Sequence, residues 1–236
     1  MLVDRSIGTQ VKARRLTYLS DEKLSAVFDC VDGVNLNGVP GDFVEFGVAL
    51  GGSAICLASG LAGPRRLLGF DVFGTIPPPS KRDPAAVHQR YDDIRSGASL
   101  GIDGDPYYGY VDNLYGQVLG TFDALGHPVD GERIRMVQGL YAETLKVQES
   151  YTIALAHIDC DWYEPVMMCL EFIWPRLSPG GCIILDDYND WMGCRAAADH
   201  FIARHGDELT VVHTAPNCVI TPRAAARTHD AGMSAA

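Results

Sequence analysis

A chain of 236 residues, 47% hydrophobic and 21% charged, has the composition of a globular domain and the length to bury one proper α/β core. Its formal net charge of −11 excludes a binder of nucleic-acid backbone, which needs clustered Lys and Arg. No run of about 18 apolar residues suggests a membrane span, the N-terminal MLVDRSIGTQVKARR lacks a signal-peptide core, and seven cysteines without a CxxC pair fit small buried hydrophobes in a reducing cytoplasm.

Residues 1–40 read as a polar, basic arm followed by one helix. Ser20-Asp21-Glu22-Lys23 marks the helix start, with Ser20 as N-cap and Lys23 where a capping box would carry Glu. Leu24, Val27, Phe28 and Val31 share one face, and the pattern fades into Asn35-Leu36-Asn37-Gly38.

Residues 41–222 carry the core. Asp42 to Val48 reads as a strand ending near Glu45 and Gly47, Gly51 and Gly52 as a turn, and Ser53 as a helix start. Glycines here let backbone approach a ligand, and the helix N-terminus adds a favourable dipole. The third glycine and the spacing of the dinucleotide fingerprint are missing. An acid followed by a glycine at the end of the first strand instead suits the cationic amino-acid end of S-adenosylmethionine. Arg66 to Asp71 is the second strand; Asp71 lies 26 positions past Glu45, where α/β nucleotide sites place the carboxylate that accepts ribose hydroxyls.

Residues 72–112 are too long for an ordinary connection and rich in Gly, Pro and Tyr, with a short helical stretch around Val87 to Ile94. They read as a lid over the cleft or as a loose insertion. Tyr107, Tyr108 and Tyr110 either line an acceptor pocket or pin the loop. Leu114 to Leu125 is a helix and Arg133 to Gln138 the third strand; Gly139 follows where backbone groups would meet an adenine. A short helix is expected near Glu143, a strand over Thr152 to Asp159, and a helix over Tyr163 to Arg176 stopped by Leu177-Ser178-Pro179-Gly180-Gly181. Cys182 to Asp186 is the fifth strand and Trp191 to His205 the last helix. Leu209 to His213 and Cys218 to Thr221 suit an antiparallel edge, and residues 223–236 a flexible tail.

Two strands thus end in paired carboxylates: Asp159 and Asp161, then Asp186 and Asp187. Ligands of an open α/β sheet sit beyond such strand ends. Four carboxylates converging there stay poorly ionised unless a cation sits among them, which points to a divalent-metal site. Strand alternation puts Asp159 and Asp161 on one side if extended geometry continues past the strand. The bland alternative makes Asp186 and Asp187 caps of the following loop and helix. His157, inside an apolar strand, fits a hydrogen-bonded core or cofactor-side imidazole, and His200 a solvated one. Asp159-Cys160-Asp161 also matches the permissive DxD motif of metal-dependent glycosyltransferases, and a non-catalytic cofactor-binding protein is a third reading.

GDFVEFGVALGGS, the Asp71 strand, HIDCDWYEP, LSPGGCIILDDY and DWMGCRAAADHF come in order and at fitting spacings. Together, over roughly residues 14 to 221, they resemble the macrocin O-methyltransferase-like family, class I S-adenosylmethionine enzymes that methylate sugar hydroxyls of natural products. The resemblance implies a Rossmann-like fold: a seven-stranded, mostly parallel sheet with an antiparallel C-terminal edge strand, N-terminal helices and a lid insertion. It implies that Glu45, Gly47, Gly51 and Ser53 surround the methionine end of the cofactor, that Asp71 holds the ribose, and that Gln138 and Gly139 flank the adenine. It implies Mg²⁺ on Asp159, Asp186 and Asp187, with Asp161 as general base, and a small glycoside as acceptor; a phenol or catechol is the alternative acceptor. Where the family often reads ECGVWRGGS this chain has EFGVALGGS, so Ala49-Leu50 replaces a bulky Trp-Arg pair and leaves the acceptor open. The arm and lid also offer surface for a dimer or larger assembly.

Overall fold

A computed structural model describes residues 2–146 and 151–223; the expected tail, apart from Arg223, lies outside the described residues. The strands are β1 Asp42–Phe46, β2 Leu67–Asp71, β3 Ile134–Gln138, β4 Ile153–Ile158, β5 Leu177–Leu185, β6 Leu209–His213 and β7 Cys218–Pro222. They form one sheet in the order β3-β2-β1-β4-β5-β7-β6. The first five are parallel; β7 runs antiparallel to both β5 and β6. The antiparallel C-terminal strand therefore lies one place inside the edge, which β6 occupies. Winding reverses between β1 and β4, and such a switch point opens a crevice at the carboxyl ends of the strands.

The helices are α1 Ser6–Ala13, α2 Asp21–Leu36, α3 Gly52–Ser59, α4 Ala85–Arg95, α5 Leu114–Ala124, α6 Tyr141–Thr144, α7 Tyr163–Ile173 and α8 Met192–His205. Strands buried on both faces need apolar residues in both directions, which is why VEF, LLGF and IALAHI read as near-continuous runs. Phe43, Leu155 and Ile184 pack with Val27, Phe28, Ile55 and Phe122 of α2, α3 and α5 on one face. Phe46, Phe70 and Ile183 pack with Val166, Leu170 and Phe201 of α7 and α8 on the other.

Ser20 caps α2 as its side chain predicts, its Oγ accepting Lys23 N–H at 3.2 Å. LSPGG behaves differently from the sequence reading. Helix α7 ends at Ile173, and one 3₁₀ turn, Trp174–Arg176, follows; Pro175 brings no N–H to continue the ladder. Leu177 already opens β5, and Ser178 to Gly181 form an irregularity in its pairing with β4, where Ile153 faces Leu177 but Leu155 faces Cys182. Gly180, at φ 81°, absorbs the irregularity. All seven cysteines are free, and six of them are buried. Among the described residues no helix is long and apolar enough to cross a membrane.

The end of β1 is pressed against the end of β4. Gly47 has φ 92°, and a Cβ placed on it would lie 1.7 Å from the Asp159 carbonyl oxygen. Gly47→Ala is therefore expected to destabilise the fold by about 3 kcal/mol or more. Thermal unfolding checks this; an unchanged midpoint would contradict the close approach.

Candidate active site

Beyond the carboxyl ends of β1, β2 and β4 lies a cavity of about 210 Å³ whose lining includes Gly47, Asp71, Tyr108, Tyr141, Asp159 and Asp161. Asp71 is fixed by the backbone: Ala49 N–H donates to Oδ2 at 2.8 Å and Phe73 N–H to Oδ1 at 2.6 Å. A carboxylate has about four acceptor sites, so two hydrogen bonds leave capacity for a ligand. Burial raises its pKa, and the backbone hydrogen bonds oppose that. Ala49, in the position where the family often has Trp, has φ 46° and supplies one of these N–H groups.

The other expected cofactor residues surround this cavity without lining it. Glu45 is fully buried behind it; its Oε1 meets His157 Nδ1 at 2.8 Å, and its Oε2 has no hydrogen-bond partner among the described residues. Gly51, at φ 89°, caps the start of α3, and Ser53 is buried in its first turn. A Cβ placed on Gly51 would lie 3.2 Å from Val118 and 3.1 Å from Phe122, so packing of α5 also favours a small residue. Gln138 pairs in register with Asp71 and is exposed, its Nε2 donating to Val72 O at 3.3 Å; Gly139 N–H donates to Asp71 O at 2.9 Å.

The acidic residues do gather. Ligand oxygens of Asp159, Asp161 and Asp187 lie within 4.8 Å of one another, and so do those of Asp186, Asp187 and Asp190. Extended geometry does not deliver Asp161: β4 ends at Ile158, and Asp161 has φ 55°. Trp162 N–H returns to Cys160 O at 2.6 Å, a tight three-residue turn that brings Asp161 back beside Asp159. Asp161 N–H then donates to Asp187 Oδ2 at 3.2 Å.

The four carboxylates differ in their surroundings. Burial, then the charges of Asp187, Asp186 and Asp161, push Asp159 well above the usual carboxylate range. Burial and the charges of Asp161 and Asp186 do the same to Asp187. Burial lifts Asp161 to about 6, with a hydrogen bond from Asp187 opposing. Among the described residues no Lys or Arg forms an ion pair with these three. Asp186 is the opposite case: burial would raise it, but His157 and Lys23 outweigh burial and hold it below the usual range. Lys23 Nζ lies 2.7 Å from its Oδ2, and Asn217 Nδ2 donates to its Oδ1 at 2.7 Å. The sequence-expected metal set and the tight cluster thus share Asp159 and Asp187; Asp161 joins them in the cluster, and Asp186 sits in the neighbouring one.

His157 is the buried imidazole its strand position predicts. Burial alone would lower its pKa; the Asp186 and Glu45 carboxylates raise it to about 9. Its Nε2 stands 3.8 Å from Asp186 Oδ1, an electrostatic contact too long for a hydrogen bond. Burial raises Glu45, and the His157 imidazole opposes that. His200 is exposed, with Nδ1 2.8 Å from the Tyr163 hydroxyl.

The insertion folds over this site. Of its tyrosines, Tyr108 lines the cavity, whereas Tyr110 ties the segment down by donating to Ile94 O at 2.5 Å. Trp162 lines the cavity while donating Nε1–H to Pro77 O at 3.0 Å. One residue that sequence reasoning missed joins the insertion to the acidic turn. Asp83 Oδ1 accepts Tyr163 N–H at 2.8 Å, and Oδ2 accepts Ser80 N–H at 2.8 Å. It caps α7 from 80 positions away, because Trp162 at the N-cap has no side-chain acceptor. Nothing local in the sequence signals so distant a cap.

A switch-point sheet, an acid ending β2 and a cavity against the β1 turn define a class I methyltransferase fold. The macrocin-O-methyltransferase (TylF) family matches residues 3–220. The chain is 31% identical over 206 residues, 86% of its length and 73% of the other, to 8-demethyl-8-(2,3-dimethoxy-alpha-L-rhamnosyl)-tetracenomycin-C 4'-O-methyltransferase of Streptomyces olivaceus. It is 28% identical to demethyldecarbamoylnovobiocin O-methyltransferase of Streptomyces niveus, covering 88% of this chain and 76% of that one. The solved structure of the O-methyltransferase NovP superposes with TM-score 0.73 at 25% identity, covering 89% and 83% of the two chains. The protein belongs to the macrocin O-methyltransferase family of sugar and natural-product O-methyltransferases, and it is an S-adenosylmethionine-dependent enzyme. That membership supports the methyltransferase reading over the glycosyltransferase and non-catalytic readings.

Asp83→Ala should lower stability by about 1–2 kcal/mol and hasten proteolysis within residues 72–112, while Asp83→Asn, which keeps an acceptor, should lose less. Wild-type melting and cleavage in Asp83→Ala would contradict the capping role.

Proposed function

We propose that the enzyme methylates a hydroxyl of a deoxysugar on a glycosylated natural product, with Mg²⁺ held at Asp159 and Asp187. The observation that carries this reading is the pair Asp159 and Asp161, half-buried on the wall of the cavity that Asp71 and Gly47 share, with buried Asp187 beside them. Three carboxylates within 4.8 Å, without an ion pair to Lys or Arg among the described residues, suit a hard divalent cation that keeps open positions for oxygen ligands. Asp186, the third aspartate of the expected set, adjoins them through Asp187. The relatives named above support the acceptor class, since their names specify a rhamnosyl-tetracenomycin and a novobiocin precursor.

The cofactor side fits as well. Asp71 retains acceptor capacity toward a ribose, and Glu45 presents an unpartnered buried oxygen behind the β1 turn. Gly51 and Ser53 would flank the methionine end, and Gln138 and Gly139 the adenine.

S-adenosylmethionine supplies an electrophilic methyl group on sulfur, and Mg²⁺ lowers the pKa of a sugar hydroxyl that is otherwise a weak nucleophile. The protein's own part is to aim that oxygen along the carbon–sulfur axis and to take its proton. Asp161, brought back to Asp159 by its turn, is the group assigned to take it. As the new carbon–oxygen bond forms, the carbon–sulfur bond breaks, leaving a methyl ether, S-adenosylhomocysteine and a protonated carboxyl. Tyr108 and Trp162, on the cavity wall, border the acceptor.

Incubation of deoxysugar glycosides with methyl-labelled S-adenosylmethionine and Mg²⁺ should add one methyl to the sugar by mass spectrometry. Labelling of catechols alone would move the acceptor to a phenol. Chelation should abolish turnover and Mg²⁺ should restore it; full turnover in excess chelator would remove the cation. Asp161→Asn is expected to lower kcat about 100-fold or more with S-adenosylhomocysteine affinity, measured by calorimetry, nearly intact. Unchanged kcat would assign the proton to another group.

A further inference from the structure

Six of the seven cysteines are buried; Cys30 of α2 is half-buried at the margin of the core. It lines a second cavity, of about 590 Å³, between α2 and the β5, β6 and β7 strands, and Cys182 of β5 lines the same cavity. No lining residue is shared with the cavity at Asp71. Gly33, one turn along α2 from Cys30, also lines it and has open space where a Cβ would stand, so the approach to the Cys30 sulfur is clear of side chains on that turn. The two thiols adjoin. The Cys182 S–H donates to the Cys30 sulfur, and this lowers the Cys30 pKa against the opposing effects of burial and the Asp29 charge. The same hydrogen bond, with burial, raises Cys182 well above the ordinary thiol value. Burial pushes Cys56 and Cys218 up to about 12, and lifts Cys160 and Cys194 well above the ordinary value. The thiolate is the reacting form of cysteine, so access, a lowered pKa and an adjacent second thiol coincide at Cys30. Methyl transfer as described above uses neither residue.

We propose that Cys30 and Cys182 form a site of reversible oxidation by a peroxide, with Cys30 as the attacking sulfur and Cys182 as the resolving one, and that the product is a disulfide stapling α2 to β5. The Cys30 thiolate attacks one peroxide oxygen and the oxygen–oxygen bond breaks. The departing oxygen takes up the Cys30 proton and leaves as water, and Cys30 becomes a sulfenic acid. The Cys182 sulfur then attacks the sulfenic sulfur. The sulfur–sulfur bond forms as the sulfur–oxygen bond breaks, and the hydroxide carries off the Cys182 proton as a second water. Two thiols have lost one electron each, and one peroxide has been reduced to two waters; a thiol reductant reverses the step by exchange. The bond closes a loop of about 150 residues, so it restricts the unfolded chain more than a local bridge would. It also fixes to the sheet a helix that covers one of its faces through Val27, Phe28 and Val31, on the strand that leads into Asp186 and Asp187.

The test treats the reduced full-length protein with hydrogen peroxide, blocks the remaining thiols with N-ethylmaleimide and maps its peptides by mass spectrometry without reductant. The expected product is a pair of peptides joined through Cys30 and Cys182, lighter by two hydrogens than the separate thiols and parted by dithiothreitol. Oxidation should raise the midpoint of thermal unfolding by about 5 °C or more. Cys30→Ser should lose both the linkage and the rise. Cys182→Ala should stop at the Cys30 sulfenic acid, which dimedone traps. The wild-type map decides the matter even if a variant fails to fold. Cys30 and Cys182 left separate in the wild-type protein, whether both stay reduced or Cys30 passes on to the sulfinic acid, would overturn the proposal. So would Cys30 joined to any other cysteine. A linked pair without the rise in midpoint would overturn the stapling of α2.

Discussion

Four carboxylates meet where β4 and β5 end, and the fold has to solve their repulsion. Burying one unpaired carboxylate is costly, and burying several together raises each one's pKa. The protein treats the four unequally. Asp186 is given Lys23, Asn217 and the nearby imidazole of His157. Asp159, Asp161 and Asp187 have no ion pair to Lys or Arg among the described residues, and Asp161 N–H donates to Asp187. Asp159 and Asp161 lie on the wall of a cavity that Asp71 also lines.

The same constraint shapes the surroundings. Gly47 exists as glycine because the β1 end must lie against the Asp159 backbone, which puts the β1 turn and the acidic turn on one wall. Glu45 and His157, opposite each other in β1 and β4, form a buried pair directly behind that wall. His157 stands between Glu45 and Asp186, so the β1 strand and the acidic end of β5 share one buried electrostatic network. The insertion closes the assembly from outside: Asp83 holds the start of α7, and Pro77 holds Trp162. The insertion is therefore tied to the turn that presents Asp161.

Much of this was legible in the sequence because it is local. Short, mostly apolar runs around Glu45 and before Asp71, Asp159 and Asp186 announce strands buried on both faces, and their acids mark the candidate site. LSPGG was misread because proline and glycine are stop signals for a helix and equally tolerated in an irregular strand start; the parallel pairing with β4 decides between them. Asp161 reached Asp159 by a left-handed turn rather than by strand alternation, a distinction that residue type alone does not carry. Asp83 and Lys23 act across 80 and 163 positions, beyond any periodicity. Lys23 did leave a trace, as a base where a helix start prefers an acid.

The most direct measurement is a crystal structure grown with S-adenosylhomocysteine and Mn²⁺, with anomalous scattering collected at the manganese edge. One anomalous peak coordinated by Asp159 and Asp187, beside cofactor density on Asp71, is the predicted result. Cofactor density with no peak at those aspartates would contradict it.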